Sequence, residues 1–174
     1  SSDLDLCSGN AKAIYGWNNA SVVSSTYSIA GQSVKAIQSA VGSLNPGPNY
    51  FRKDFSVTSS GTYTLAVNGG ATFDAYIDGR LLLYQVRGST STKTIDLSPG
   101  CHTIYIRAVN GAILPNSFEL LASLTKSGET TPIVQSDSTW RVSSGPTVHY
   151  SDYRYSQSSG WSVARDLEAA TTTT

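Results

Sequence analysis

Short runs in which apolar and polar residues alternate recur along this chain, and clusters of turn residues separate them. In TYTLAV (62–67), Tyr63, Leu65 and Val67 fall on the same side of an extended chain. The same period of two recurs in TFDAYID (72–78), HTIYIRA (102–108) and SFELLASL (117–124). A period of two predicts a β-strand with one buried and one solvated face. This pattern leaves little room for helices.

Turn residues support the same interpretation. Asp78-Gly79 stands between two apolar runs in YIDGRLLL (76–83), which is a strong signal for a two-residue β-hairpin. QSVKAIQSAV (32–41) is the only candidate for a short helix. We therefore predict an all-β protein, a jelly-roll β-sandwich of two antiparallel sheets with little helix. We expect one domain over residues 1–168 and a Thr-rich tail or linker over 169–174.

Composition limits the kinds of partner. Charged residues make up 14% of the chain, against roughly 25% in ordinary soluble domains, and 12 basic residues balance 12 acidic ones. Nucleic-acid binding requires clustered Lys and Arg, so we expect no nucleic-acid partner. No apolar run is long enough to predict a membrane span. A neutral, hydroxyl-rich surface favours a neutral polar ligand such as a glycan.

Several features favour an extracellular location. Cys7 and Cys101 are far apart and fit no zinc-site spacing, so a disulfide between them is expected if the chain is secreted. Asn19 begins a glycosylation sequon, Asn19-Ala20-Ser21. The chain contains no methionine and ends in AATTTT, from which we expect it to be attached to a larger extracellular protein.

No catalytic signature is found in the sequence. Nucleophile elbows, phosphate loops and His-Glu-x-x-His are absent. His102 is expected to be a half-exposed strand residue. His149 could contact a ligand, but a position without a ligand contact is favoured. A glycosidase needs two carboxylates about 5–10 Å apart across a cleft. Asp74 and Asp78 lie about 13 Å apart along one predicted strand, so they do not form such a pair. We predict that the chain is not an enzyme.

Calcium is the one cofactor that the sequence leaves open. Small β-sandwich modules often hold this cation with Asp and Asn side chains from loops. Asp74 and Asp78 are weak candidates for such a site, because no spacing here matches an EF-hand. Solvated turn residues are the alternative interpretation for both.

Aromatic residues supply the best candidates for ligand contacts. In VHYSDYRYSQSSGW (148–161) the tyrosines break the alternation of the core strands, which favours a displayed loop or edge strand. AIYGWNNAS (13–21) places Trp17 in a probable loop, as a ligand platform or a lid over the core. Trp140 and Trp161 are expected in the core. The predicted ligand-binding residues are Tyr15, Trp17, Asn18, Tyr150, Asp152, Tyr153, Arg154 and Tyr155.

Five stretches carry a family resemblance. NYFRKDFSV (49–57), SGTYTLAVNGGATFDAYIDGRLLL (60–83) and LSPGCHTIYIRAVN (97–110) resemble the galactose-binding-like β-sandwich of many carbohydrate-binding modules. SDSTWRVSSGP (136–146) and SSGWSVARDL (158–167) are similar to the closing section of accessory domains in rhamnosidase-type glycoside hydrolases. YIDGRLLL also resembles PA14-type adhesin domains. The adjacent acidic pair that those domains use for calcium is missing here.

The resemblance implies a non-catalytic carbohydrate-binding module that binds a neutral sugar by aromatic stacking and hydrogen bonds. The main alternative is a structural or protein-interaction domain of adhesin type, because the same fold also serves those purposes. A small hydrolase is a third possibility, which would require the carboxylate pair described above.

Overall fold

Twelve β-strands make up the described part of the chain. The computed structural model describes residues 18–38, 48–69, 71–87, 89–109 and 119–143. The strands are β1 (Asn18–Asn19), β2 (Ser21–Ile29), β3 (Gln32–Gln38), β4 (Asn49–Val57), β5 (Gly61–Asn68), β6 (Thr72–Ile77), β7 (Arg80–Arg87), β8 (Ser91–Leu97), β9 (Gly100–Val109), β10 (Leu121–Lys126), β11 (Val134–Gln135) and β12 (Arg141–Ser143). These ranges contain no helix, and therefore none that is long and apolar enough to cross a membrane. The predicted all-β class is confirmed.

The strands form three antiparallel sheets. A six-stranded sheet has the order β1-β12-β4-β9-β6-β7, and a four-stranded sheet has the order β11-β10-β5-β8. These two sheets enclose the main core. The third sheet is the hairpin β2–β3, an addition to the two sheets that the sequence predicted.

The core contains the residues that the alternation assigned to buried faces. Leu65 and Val67 of β5, and Ile104 and Ile106 of β9, have no solvent exposure and belong to one apolar cluster. Trp140 joins the same cluster with 0% exposure, which confirms its predicted core position. Its indole Nε1 donates a hydrogen bond to the Gln135 carbonyl at 3.0 Å. The burial of a large aromatic therefore leaves no unpaired N–H.

The candidate helix at residues 32–41 is not helical in its described part, because Gln32–Gln38 forms strand β3. Its pairing with β2 places Val34 and Ala36 against Ala66 and Leu121, on the outer side of the four-stranded sheet. An isolated sequence of this kind has adequate helix propensity, but tertiary burial of one face overrides propensity. The hairpin therefore forms a third layer over part of the sandwich.

The β6–β7 hairpin has the turn that the sequence predicted. Asp78 and Gly79 have φ angles of 54° and 79°. Two successive positive φ angles are those of a type I′ turn, which suits the twist of the flanking strands. The hairpin places β7 at the edge of the six-stranded sheet.

Candidate functional site

Most of the predicted ligand-binding residues lie outside the described ranges. These are Tyr15, Trp17, Tyr150, Asp152, Tyr153, Arg154 and Tyr155, and the same holds for Cys7, His149 and Trp161. Asn18 lies in β1, and the neighbouring Asn19 is exposed with its side-chain oxygen accepting a hydrogen bond from Arg141 at 2.7 Å. Ligand binding by this set, glycosylation of Asn19 and the Cys7–Cys101 disulfide stay predictions. Cys101 itself is exposed at the start of β9.

Strand β7 displays the most exposed large apolar side chain in the described part of the chain. Tyr84 has a relative exposure of 62%, and Leu81 on the same strand has 45%. Gln85 and Arg87 are exposed beside them along the chain. An exposed tyrosine ring offers a flat apolar face with a polar hydroxyl at its rim. This strand is therefore the candidate functional site.

Two bulges in β7 explain why Tyr84 points out of the sandwich. The pairing of β6 with β7 shifts register on both sides of Ala75, so that β7 holds extra residues opposite β6. Leu82 and Leu83 both pack against the main core despite being consecutive. The next residue, Tyr84, is thereby excluded from the interior. β-bulges re-aim side chains in this way at sheet edges.

A buried carboxylate fixes the second bulge. Asp74 on β6 is 9% exposed, and its Oδ1 accepts a hydrogen bond from the Gln85 backbone N–H at 2.7 Å. Gln85 has a φ angle of 47°, in the left-handed region that non-glycine residues rarely adopt. A left-handed backbone conformation costs free energy in a residue with a side chain. The hydrogen bond from the Gln85 N–H to the Asp74 carboxylate offsets part of that cost. Tyr84 is therefore presented on a pre-organised segment of backbone.

The outer face of the six-stranded sheet was expected to be solvated, and this expectation is wrong near its centre. Arg52 and Tyr105 are cross-strand neighbours on that face, yet they are only 1% and 0% exposed. The Arg52 guanidinium carbon lies 5.5 Å from the centre of the Tyr105 ring, within cation–π distance. Arg52 also binds both carboxylate oxygens of Asp54 through Nη2 at 2.8 Å. The ion pair with Asp54 and the contact with the Tyr105 ring therefore replace much of the hydration of Arg52.

Asp54 connects this ion pair to β9. Its Oδ1 accepts a hydrogen bond from the Thr103 hydroxyl at 2.9 Å. Burial raises the pKa of Asp54 above its ordinary value and outweighs the opposing effect of Arg52. The carboxylate therefore has a structural function in the outer face.

His102 differs from the half-exposed strand residue that the sequence predicted. It is 8% exposed, and its ring nitrogens lie 2.5 Å from Asp78 Oδ2 and 2.6 Å from the Ser98 carbonyl. Asp78 Oδ1 also accepts the Thr103 backbone N–H at 2.8 Å. Sequence pattern alone could not reveal this burial, because the partners come from the β6–β7 turn and the loop before β9.

Asp74 and Asp78 were weak candidates for a calcium site. In the structure they bind different partners, the Gln85 N–H and the His102–Thr103 pair. No group of three His, Cys, Asp or Glu side chains placed to hold a metal occurs in the ranges that the structure describes. Calcium binding by these two residues stays a prediction without an observed third ligand.

The exposure of Tyr84 was not predicted, because the hairpin signal in YIDGRLLL concerns the turn and the apolar run after it and ends before Tyr84. The sequence does contain a signal for a bulge, because Leu81, Leu82 and Leu83 interrupt the alternation. Consecutive apolar residues on an otherwise alternating strand are what a bulge requires. The carboxylate that fixes the bulge lies on another strand, and nothing local to β7 indicates it.

Comparison with known proteins finds similarity in structure only. No protein-family model and no curated protein matches the sequence. A lectin from Pleurotus ostreatus in complex with GalNAc is 17% identical and superposes with a TM-score of 0.52 over 72% of this chain and 39% of the lectin. This likeness confirms the predicted galactose-binding-like β-sandwich at the level of the fold.

Other solved structures match less closely. The apo form of the Pleurotus ostreatus lectin is 18% identical with a TM-score of 0.46 over 54% of this chain and 29% of that one. Native alfa-L-rhamnosidase from Aspergillus terreus is 21% identical with a TM-score of 0.46 over 78% of this chain and 17% of the enzyme. The chain spans well under half of the length of each of these proteins.

Proposed function

We propose that this domain is a non-catalytic carbohydrate-binding module of a secreted protein, and that Tyr84 is its sugar-stacking residue. The observation that carries the proposal is the 62% exposure of Tyr84 on a bulge that Asp74 holds in place. The lectin-like fold supports carbohydrate binding in general. The balanced charge of the chain supports a neutral sugar as the ligand.

Stacking explains how such a site recognises a sugar. One face of a pyranose ring consists mainly of C–H groups, which pack against the face of an aromatic ring. The Gln85 side chain can both donate and accept hydrogen bonds, as the hydroxyls at the sugar rim require. Because the bulge fixes the backbone, little conformational freedom is lost on binding. A single ring and a few hydrogen bonds still give weak affinity at one site.

Replacement of the tyrosine ring tests the proposal. A glycan array identifies the ligand, and calorimetry with and without calcium then measures its affinity. We expect Tyr84→Ala to weaken binding at least about tenfold, because the stacking surface is lost. Tyr84→Phe keeps the ring and should retain most of the affinity. The exposed position of Tyr84 predicts little change in stability for either variant.

Ile133 supplies the matched control, because it is an exposed apolar residue with 42% exposure outside β7. Ile133→Ala should bind the glycan as the unmodified protein does. The Tyr84 assignment is wrong if Tyr84→Ala binds with unchanged affinity. The wider proposal is wrong if no glycan binds in either calcium condition.

A protein-interaction domain is the second candidate function. Leu81 and Tyr84 expose apolar surface on an edge strand, where unpaired backbone groups can also recruit another chain. Under this alternative the mass measured by light scattering rises with protein concentration, and Tyr84→Ala suppresses that rise. A concentration-independent mass together with glycan binding favours the carbohydrate-binding module.

A further inference from the structure

A cleft of about 380 Å³ lies on the side of the molecule formed by the four-stranded sheet. Its volume falls within the range of small-molecule sites. The tip of the β2–β3 hairpin forms one wall, the outer face of β5 and β10 forms the floor, and the turn after β10 forms the other wall. The lining residues are Ala30, Gln32, Thr64, Ala66, Ser123, Thr125, Lys126, Ser127, Gly128 and Glu129.

The floor carries hydroxyl groups in register. Thr64 on β5 is the cross-strand partner of Thr125 on β10, and Ala66 is the partner of Ser123. No hydrogen bond of the Thr64, Ser123 or Thr125 side chain to another residue is found in the described ranges. Ser123 is 2% exposed, so the half-buried Thr64 and Thr125 carry the hydroxyls that can both donate to and accept from a ligand. Ala66 is 2% exposed and packs beneath the hairpin, so it forms the apolar part of the floor beside these hydroxyls.

Buried contacts hold the hairpin wall in position. Ile29 and Val34 pack with Ala66 and Leu121 in a second apolar cluster. The Ser136 hydroxyl donates a hydrogen bond to the Lys35 carbonyl of β3 and accepts one from the Ala122 N–H of β10 at 3.2 Å. This one buried side chain therefore links the hairpin to the sheet beneath it. The wall is part of the folded structure and does not depend on a ligand.

The opposite wall is also fixed by hydrogen bonds. The Ser127 N–H donates to the Thr62 carbonyl at 2.9 Å, and the Glu129 N–H donates to the Lys126 carbonyl at 3.0 Å. Gly128 between them has a φ angle of +87°, which closes the turn. Lys126 Nζ donates to the Ser59 hydroxyl at 2.7 Å. The cleft is consequently pre-formed on both sides.

The charges of the lining select against ionic ligands. Among the described lining residues, Lys126 and Glu129 contribute one charge of each sign, so these charges balance. The remaining polar groups are the Gln32 amide and four hydroxyls. A ligand that fills such a site must offer many hydroxyl groups and no strong charge. None of the described residues that line it is aromatic, so the contacts that they offer to a ligand are mainly hydrogen bonds.

We propose that this cleft binds a single neutral sugar residue, as a second site that is distinct from Tyr84. The hydroxyls of Thr64 and Thr125 and the Gln32 amide bind the sugar hydroxyls. The hairpin β2–β3 creates the site, because it supplies the wall that turns a flat sheet face into a cleft. The proposal does not depend on the Tyr84 site.

An NMR titration tests the proposal. The backbone amides of the protein are followed while galactose, glucose, mannose and N-acetylgalactosamine are added one at a time. We expect at least one of these sugars to shift the amides of Thr64, Ser123 and Thr125 saturably. Thr64→Val and Thr125→Val keep the side-chain shape and remove the hydroxyl, so each should weaken this binding about 5- to 10-fold.

Thr94→Val is the matched control. Thr94 is the cross-strand neighbour of Thr64 on β8 but does not line the cleft, so its replacement should leave the affinity unchanged. Tyr84→Ala should also leave cleft binding unchanged, which separates this proposal from the proposed stacking site. The cleft proposal is overturned if none of the sugars shifts the cleft amides, or if Thr64→Val and Thr125→Val bind like the unmodified protein. Preferential binding of glucuronate over glucose would also overturn it.

Discussion

At the scale of single residues, Arg52 shows how much a buried charge depends on its partners. Its Nε and Nη2 donate to Asp54 at 2.9 and 2.8 Å, and its Nη1 has no hydrogen-bond partner among the residues that the structure describes. The Tyr105 ring lies close to the guanidinium and supplies a favourable cation–π contact. Buried charges are tolerated only when such contacts replace their hydration.

Removal of the arginine leaves Asp54 as a buried carboxylate without its counter-ion. We expect Arg52→Met to lower the free energy of unfolding by about 3 kcal/mol. Urea denaturation measures this loss. Lys93→Met on the exposed edge of β8 is the control and should change stability by less than about 0.5 kcal/mol. An equal loss in both variants would contradict a specific role for the buried pair.

The Arg52→Met deficit should also depend on pH. Burial raises the pKa of Asp54 above the ordinary value of 3.8, so the folded state binds a proton in a range where the unfolded chain has released it. The contribution of Asp54 to stability therefore decreases as the pH rises through the folded pKa. Arg52 opposes the rise of the Asp54 pKa, so without Arg52 the loss of stability with rising pH is larger. The stability deficit of Arg52→Met should thus be smaller at about pH 4 than at about pH 7.

At the scale of elements, the β2–β3 hairpin is the part that sequence analysis misjudged. Its turn is Ala30-Gly31, with φ angles of 47° and 79°. An Asn-Gly or Asp-Gly pair at that place would have signalled a hairpin, whereas Ala in this conformation carries a backbone cost. The hairpin forms because its apolar face is buried against the four-stranded sheet.

Asparagine at position 30 tests this explanation of the turn. We expect Ala30→Asn to raise the free energy of unfolding by about 1 kcal/mol, because Asn tolerates a positive φ angle better than Ala. Gly31→Ala should act in the opposite direction, since its φ angle of +79° is strained for any L side chain. Thermal unfolding compares the two. Stabilisation by Gly31→Ala would show that the turn differs from the one described.

At the scale of the whole molecule, the two proposed sites lie on different sheets. Tyr84 is at the edge of the six-stranded sheet, and the cleft is on the outer side of the four-stranded sheet. A domain with two such sites can bridge two chains of one polysaccharide. Multivalent contact of this kind multiplies the effective affinity of sites that are weak alone.

Cross-linking measures this bivalence directly. We expect the unmodified domain to raise the light scattering of a solution of its soluble polysaccharide ligand, because each molecule joins two polymer chains. Tyr84→Ala and Thr64→Val each leave one site, so both should suppress the increase. Thr94→Val should cross-link like the unmodified domain. Cross-linking that persists in both single-site variants would contradict the assignment of the two sites.

Sequence reasoning was most reliable where local pattern decides the outcome. The inward positions Leu65, Val67, Ile104 and Ile106 are buried, and Asp78-Gly79 forms the expected hairpin turn. The burial of Arg52 and His102 was not predicted. The alternation places Arg52 on the outward face and His102 at the start of a strand, where solvated residues are expected. Their burial depends on partners from other strands, which local alternation does not encode.

The all-β class, the faces of the core strands and the position of the β6–β7 turn follow from the sequence, because a period of two and a turn pair are local properties. The tertiary structure alone decided which outward positions become buried and where Tyr84 emerges. It also decided that β2–β3 stands over Thr64 and Thr125 as the wall of a cleft. These outcomes depend on strand order and bulges, which arise only when distant segments pair.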